Sequence, residues 1–268
     1  MFRAVLKGKS GSLQKDISAD GTSGSYGKIE LPSIREDVLT AAVFSRLSYL
    51  PDVEFWKILS DTFPILPDRE LAQLVNIEFW PRWKYEEKDR KFVEPDIFLQ
   101  FEIGDPAHKV DLLIEIKRHT FWTQQSSEQH IDQISAYFLN EDEFEKGHEF
   151  FFLALGGLGS NSQLRMNSLS SNIQHRLTSD SKIQMAIQNI CGSTWLTLIE
   201  TLETFQTNSN GKHIYLISDL IEILTYAGFK KRIYFGEVEL IPPANLSVGQ
   251  LFSMYSKKGE VACNGKAI

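Results

Sequence analysis

The stretch LLIEIKRH, Leu112 to His119, has the apolar and β-branched content of a buried strand, yet it carries a carboxylate at Glu115 and an amine at Lys117. Nineteen positions before Glu115, a second apolar run, VEPDIFLQFEI, holds another carboxylate, Asp96. Side chains alternate across a strand, so Glu115 and Lys117 share a face with Asp111 and Leu113, while Leu112, Ile114 and Ile116 fill the other. In the earlier run Ile97, Leu99, Phe101 and Ile103 form one face and Asp96, Phe98, Gln100 and Glu102 the other. If the two runs pair as a hairpin, Asp96 and Glu115 lie on a shared face. Two carboxylates and an amine at one sheet edge suit a specific chemistry. Mg²⁺ prefers near-octahedral oxygen ligands and keeps several waters, so an Asp, a Glu, a backbone carbonyl and a substrate phosphate can hold it. Such a metal lowers the pKa of bound water and stabilises charge on a phosphoryl group. A neighbouring lysine can orient or deprotonate the attacking water and neutralise developing negative charge.

The elements that must position these groups follow from periodicity. Leu39, Val43, Leu47 and Leu50 recur at helical steps between Ser33 and Leu50, and Pro51 ends the pattern. A short helix over Val53 to Leu59 leads to the turn-rich DTFPILPDRE. Three strands are predicted next, LAQLVNIEFW, VEPDIFLQFEI and VDLLIEIKR, with GDPAH turning between the last two. An amphipathic helix over Ser126 to Leu139 and a buried strand, EFFFLALGG, complete the order helix, three strands, helix, strand. Residues 156–172 read as loop and KIQMAIQNI as ambiguous. TWLTLIETLETF and IYLISDLIEILTYAGF read as amphipathic helices, the second closed by Gly228, and this C-terminal segment is expected to complete the same sheet and pack its helices on it.

The PD of Pro95 and Asp96 followed by the EIK of Glu115 to Lys117 resembles the signature of the PD-(D/E)XK nuclease superfamily, the restriction-endonuclease-like fold. Sixteen positions after Lys117, QISAY (Gln133 to Tyr137) is similar to the QxxxY helix motif of that superfamily's RecB-like branch, although VEPD stands where that branch carries GxxD. The likeness spans about Ile34 to Gly157. It implies an α/β fold with an α-β-β-β-α-β core, a central mixed sheet flanked by helices, and a C-terminal helical extension. It also implies a metal-dependent nuclease that hydrolyses phosphodiester bonds in DNA, with Mg²⁺ or Mn²⁺ as cofactor. Carried over by residue, Asp96 and Glu115 are the metal ligands, the Ile116 carbonyl completes the set and Lys117 is the catalytic amine. Gln133 stands at the site's edge, touching substrate or a metal-bound water, with Tyr137 and Arg118 towards substrate. Many members add a Glu from the first helix, and Glu36 is the candidate here. Such enzymes serve in restriction, phage defence, mobile elements or repair. The alternative is a catalytically silent nuclease-fold subunit that binds nucleic acid or supports a complex.

Several of these residues have a second, purely structural reading. SIRE, Ser33 to Glu36, is also a capping box, with Ser at the N-cap and Glu three residues on. Gln133 reads equally as a helix-surface residue, with Tyr137 packing on the sheet. Glu94, Glu102 and Asp111 are expected to be exposed, and His119 and His130 to be surface residues. Trp80 and Trp83, in FWPRW, could stack on unpaired bases and are expected instead to cover the sheet edge.

Composition bounds the rest. At 268 residues and 42% hydrophobic, the chain can bury a sizeable core, and a flexible N-terminal arm (1–30) is expected ahead of a single nuclease-like domain (31–268, core 34–157, C-terminal helical part 158–268). The GKS near the N-terminus lacks the earlier glycine that a phosphate loop needs. No apolar run long enough to span a membrane and no signal-like segment appears, so a cytoplasmic protein without membrane association is expected. Cys191 and Cys263 are far apart, have no CxxC spacing and read as free thiols. A net charge of −7 excludes a simple basic nucleic-acid coat and points to targeting by a protein partner or a homo-oligomer.

Overall fold

The computed structural model describes residues 35–85, 92–118, 124–139, 147–159, 161–177, 187–208 and 213–229. Two helices come first, α1 (Glu36–Leu47) and α2 (Asp52–Thr62). Then follow β1 (Ala72–Phe79), a two-strand ribbon of β2 (Trp83–Lys84) and β3 (Phe92–Val93), β4 (Ile97–Ile103) and β5 (His108–Ile116). Helix α3 (Ser127–Leu139) leads to β6 (Glu149–Leu155), α4 (Ser162–Leu177), β7 (Ile190–Ser193), α5 (Trp195–Asn208) and α6 (Ile214–Tyr226).

The main sheet has five strands in the order β1-β4-β5-β6-β7. The β1, β4 and β5 strands form an antiparallel meander, whereas β6 lies parallel to β5 and β7 parallel to β6. A parallel neighbour requires a crossover connection, and α3 supplies the first of them, from the end of β5 to the start of β6. The protein is therefore α/β, with a mixed central sheet flanked by helices, and the predicted order of helix, three sheet strands, helix and strand is present. The ribbon is added to that order.

Both faces of the sheet are buried, which explains why β5 reads as a nearly continuous apolar run. On one face, Ile97, Leu99, Leu112, Ile114, Ile116, Leu153 and Leu155 pack with Leu39, Val43, Phe55, Leu198, Leu202, Leu220 and Leu224 from α1, α2, α5 and α6. On the other, Phe98, Leu113, Phe150 and Phe152 pack with Ile134 and Tyr137 of α3, Met166, Leu169 and Ile173 of α4, and Trp83 and Val93 of the ribbon. Trp80 and Trp83 are buried, as their covering role requires.

Two kinds of expectation change. The loop expected over 156–172 is largely α4, whose four buried residues, Met166, Leu169, Ile173 and Leu177, recur at steps of three and four. Asn161 Oδ1 accepts the Leu164 amide at 3.2 Å and caps that helix. The C-terminal part, expected to complete the sheet and to pack helices on it, adds Ile190–Ser193 as the fifth strand. Asp111, expected to be exposed, is fully buried, as is His130. Gly228 ends α6 as anticipated: at φ +98° its amide donates to the Thr225 carbonyl while the Phe229 amide reaches Leu224. The N-terminal arm, Ser33, His119 and Cys263 lie outside the described residues.

Candidate active site

The β4/β5 register pairs Ile97 with Ile114, which brings Asp96, just before β4, beside the Glu115–Ile116 end of β5. Backbone bonds fix Asp96 from two sides. The Trp80 amide donates to its carbonyl at 3.0 Å, and its own Oδ2 accepts the Ile116 amide at 2.8 Å. The next amide, Lys117, donates in the opposite direction, to Leu155 of β6. The Ile116 carbonyl therefore projects to the Asp96 side, because one strand residue turns its N–H and C=O the same way.

Glu115 is 1% exposed and is held by three side chains. Lys117 Nζ and Gln129 Nε2 donate to its Oε1 at 2.5 and 2.7 Å, and Gln133 Nε2 donates to its Oε2 at 2.7 Å. From α1, Glu36 reaches the same place. Its Oε2 accepts the Arg118 amide at 2.7 Å, and its Oε1 lies 3.6 Å from Lys117 Nζ. The helix begins at Glu36 itself, with Arg35 at the N-cap and no side-chain cap bond. Lys117 is also fixed through its backbone: its carbonyl accepts Trp195 Nε1–H at 3.0 Å, and a Cβ at Gly156, whose φ is +74°, would run into that carbonyl oxygen.

Three carboxylates thus surround one ammonium. Burial, reinforced by the Glu115 charge, holds the Asp96 carboxyl well above the usual carboxylate range. Burial also raises Glu115, although Lys117 and the Gln133 bond pull it back in part. Burial works against the charge of Lys117, but Glu115, Asp96 and Glu36 outweigh it and leave the amine more basic than a free lysine. In this arrangement Lys117 is a proton-bearing cation, suited to neutralising charge rather than to abstracting a proton.

The remaining predicted residues separate. Tyr137 is 5% exposed and donates to Asp111 Oδ2 at 2.7 Å, with its ring on Phe150 and Phe138, so it faces protein rather than open space. The Arg118 guanidinium reaches the Ala227 carbonyl at 3.4 Å, at the end of α6. Two residues were not singled out beforehand. Gln129 bonds Glu115 directly, and Gln125 Nε2 links the carbonyls of Glu115 and Gly156 at 3.3 and 3.1 Å, its Oε1 facing His130 Nε2 at 2.8 Å. Gln129, Gln133 and Tyr137 recur every four residues, so one polar stripe on the helix pattern already marked this face.

The donor set fits a hard divalent cation. Asp96, Glu115 and the Ile116 carbonyl are oxygen donors, and the buried negative charge exceeds what Lys117 neutralises. Among the described residues no group of three or more His, Cys, Asp or Glu is arranged to hold a metal ion. Mg²⁺ does not need such a group, since it commonly takes one or two carboxylates and keeps its waters. Beside Glu115, a cleft of about 580 Å³ is lined by Phe92, Val93, Glu94, Ser126, Glu128, Gln129, Asp132 and Gln133.

No family model and no solved structure matches the chain. The chain is similar to an uncharacterized protein of Pasteurella multocida (strain Pm70), 29% identical over 230 residues that span 86% of this chain and 81% of the relative. Among the described residues, no helix is long and apolar enough to cross a membrane.

Proposed function

We propose that the protein is a metal-dependent nuclease of the PD-(D/E)XK type that hydrolyses phosphodiester bonds in DNA. The observation that carries this reading is the meeting of Asp96, Glu115 and Lys117 at one strand end, where Asp96 bonds the Ile116 amide and Glu115 bonds Lys117. Asp96, Glu115 and the Ile116 carbonyl would hold Mg²⁺ or Mn²⁺. When bound, that ion supplies Lewis-acid chemistry to the phosphodiester. Lys117, kept protonated by its three carboxylate neighbours, neutralises a phosphate oxygen as negative charge develops on it. Gln129 and Gln133 fix the orientation of Glu115, as groups behind a metal ligand commonly do. Glu36 aligns Lys117 and ties the start of α1 to the Arg118 amide. The net charge of −7 means that a protein partner or a second copy brings the enzyme to its substrate.

The test is incubation of the purified full chain with supercoiled, linear and single-stranded DNA, with Mg²⁺, Mn²⁺ or EDTA, beside Asp96→Ala and Lys117→Ala. Metal-dependent cutting that both substitutions abolish is the expected result. Cutting that persists in EDTA, or that survives either substitution, would remove this reading. So would absence of both cutting and divalent-metal binding, which would favour the silent nuclease-fold subunit.

A further inference from the structure

Glu115 has more than one claimant. Its Oε1 accepts Lys117 Nζ and Gln129 Nε2, and its Oε2 accepts Gln133 Nε2. A divalent ion held by the same carboxylate would face the Lys117 ammonium across it, in a place where Glu115 is almost wholly shielded from water. Like charges that close repel strongly, and burial removes the screening that water would give. Lys117 and the ion therefore compete for Glu115. An ammonium that is largely buried is costly to leave unpaired, so Lys117 can yield only if a second acceptor stands within reach.

Glu36 meets that requirement. Its Oε1 lies 3.6 Å from Lys117 Nζ, about 1 Å beyond a full charge-assisted bond. Its Oε2 accepts the Arg118 amide at 2.7 Å, which keeps the carboxylate in place whichever partner Lys117 takes. The Lys117 and Glu36 side chains are 14% and 28% exposed, so a short swing of the amine towards Glu36 takes it to the more open side of the cluster, whereas the Glu115 side chain is 1% exposed. We propose that Lys117 is a latch on Glu115, and that Glu36 is the positioning residue that receives it when a divalent ion takes Glu115. This rests on the nuclease reading in one respect, that Glu115 ligates the ion, and requires neither DNA nor cutting. It also separates Glu36 from a metal ligand. A ligand matters at least as much once no lysine competes for Glu115, whereas an acceptor for Lys117 matters chiefly while the lysine is present.

The test is calorimetric titration of the full chain with Mn²⁺, without nucleic acid, for wild type, Glu36→Gln, Lys117→Met and the double variant. Glutamine at this position still offers an oxygen to the Arg118 amide, and methionine keeps most of the lysine stem. Lys117→Met should bind Mn²⁺ about tenfold more tightly than wild type, and Glu36→Gln about tenfold more weakly. In the Lys117→Met background, Glu36→Gln should weaken binding by less than about threefold, which is the signature of coupling between the two residues. Glu36→Gln within about twofold of wild type would overturn the latch. So would Lys117→Met that binds no more tightly than wild type, or a Glu36→Gln loss at least as large in the Lys117→Met background, which would make Glu36 a ligand. A second measurement does not depend on the folding of Lys117→Met. In full chain carrying [ε-13C]lysine, the Lys117 signal, identified by its absence from Lys117→Arg, should shift on addition of Mg²⁺, and a signal that stays in place would overturn the latch. Mn²⁺ binding without the expected coupling removes the latch alone and leaves the nuclease reading standing. Absence of divalent-ion binding from every variant overturns both, and failure to cut DNA with the coupling intact leaves the latch in place.

Discussion

Gln133 and Tyr137 stand one turn apart on α3 and grip two carboxylates four residues apart on β5: Gln133 Nε2 bonds Glu115 and Tyr137 Oη bonds Asp111, each at 2.7 Å. The two bonds tie the same helix to the same strand, but they end in different surroundings. The Gln133 bond ends at the cluster of Asp96, Glu115 and Lys117. The Tyr137 bond ends in the interior, where Asp111 also meets His148 Nδ1 at 2.8 Å and Gln100 Nε2 at 3.2 Å.

The pair should separate in function. Gln133→Leu removes the donor that orients Glu115, and the expected result is about a 10- to 100-fold loss of cutting rate, as for other groups behind a metal ligand. Tyr137→Phe keeps the ring but takes one donor from a fully buried carboxylate, which should destabilise the fold by about 1–3 kcal/mol. Steady-state rates and urea denaturation of both variants check this. Equal effects of the two on rate would mean that Tyr137 belongs to the chemistry after all.

Asp96 supports a prediction of opposite sign for stability and activity. Its carboxyl is raised by burial and by Glu115, so near neutral pH its charge opposes folding. A raised carboxyl contributes stability that is fully present below its unfolded pKa and is lost as pH rises through the folded value. Asp96→Asn keeps an acceptor for the Ile116 amide and removes the charge. The expected outcome is a protein about 1–2 kcal/mol more stable at pH 8, with the gain shrinking towards pH 4, and with no cutting. Denaturation at the two pH values, together with a cutting assay, decides it; a variant less stable at pH 8 would mean that the charge of Asp96 is well compensated.

The legible part of the site lay where strand alternation and spacing agree. Asp96, Glu115 and Lys117 sit at the ends of runs whose apolar alternation reads directly, and the register Ile97 to Ile114 follows from that alternation and the short turn. The charged positions were harder. Asp111 looked exposed because a sheet with one wet face was the simpler assumption. The second covering layer is in part α4, whose sequence SQLRMNSLSSNIQHRL shows only a thin apolar stripe among serines and asparagines. The four residues of β7 are too few to show a period and gain their strand character from pairing with β6. Glu36 illustrates a different limit. Its spacing from Ser33 fits a cap, and only the fold brings it to Lys117 and the Arg118 amide across 82 positions of sequence.

His130 gives a pH dependence that can be isolated. Its ring is fully buried against Phe152, and burial, with the charges of Lys117 and Arg165, lowers its pKa to about 3. The folded state therefore refuses a proton that the unfolded chain accepts below its ordinary value of 6.5. Stability from this residue is complete above pH 6.5 and declines as the solution is acidified, by about 1.4 kcal/mol for each pH unit, until the folded value near 3 is reached. Asp96 and Glu115, whose folded values are raised, act in the opposite sense over part of that range, so the wild-type curve mixes the two. Comparison with His130→Gln separates them, because the variant keeps the carboxylates and loses the titrating ring. The stability difference, wild type minus variant, should fall by about 1.2 kcal/mol between pH 6 and pH 5 in urea denaturation. A difference that stays flat over that interval would mean that the ring takes up its proton in the folded protein, and that the contact between His130 and Gln125 opens to admit it.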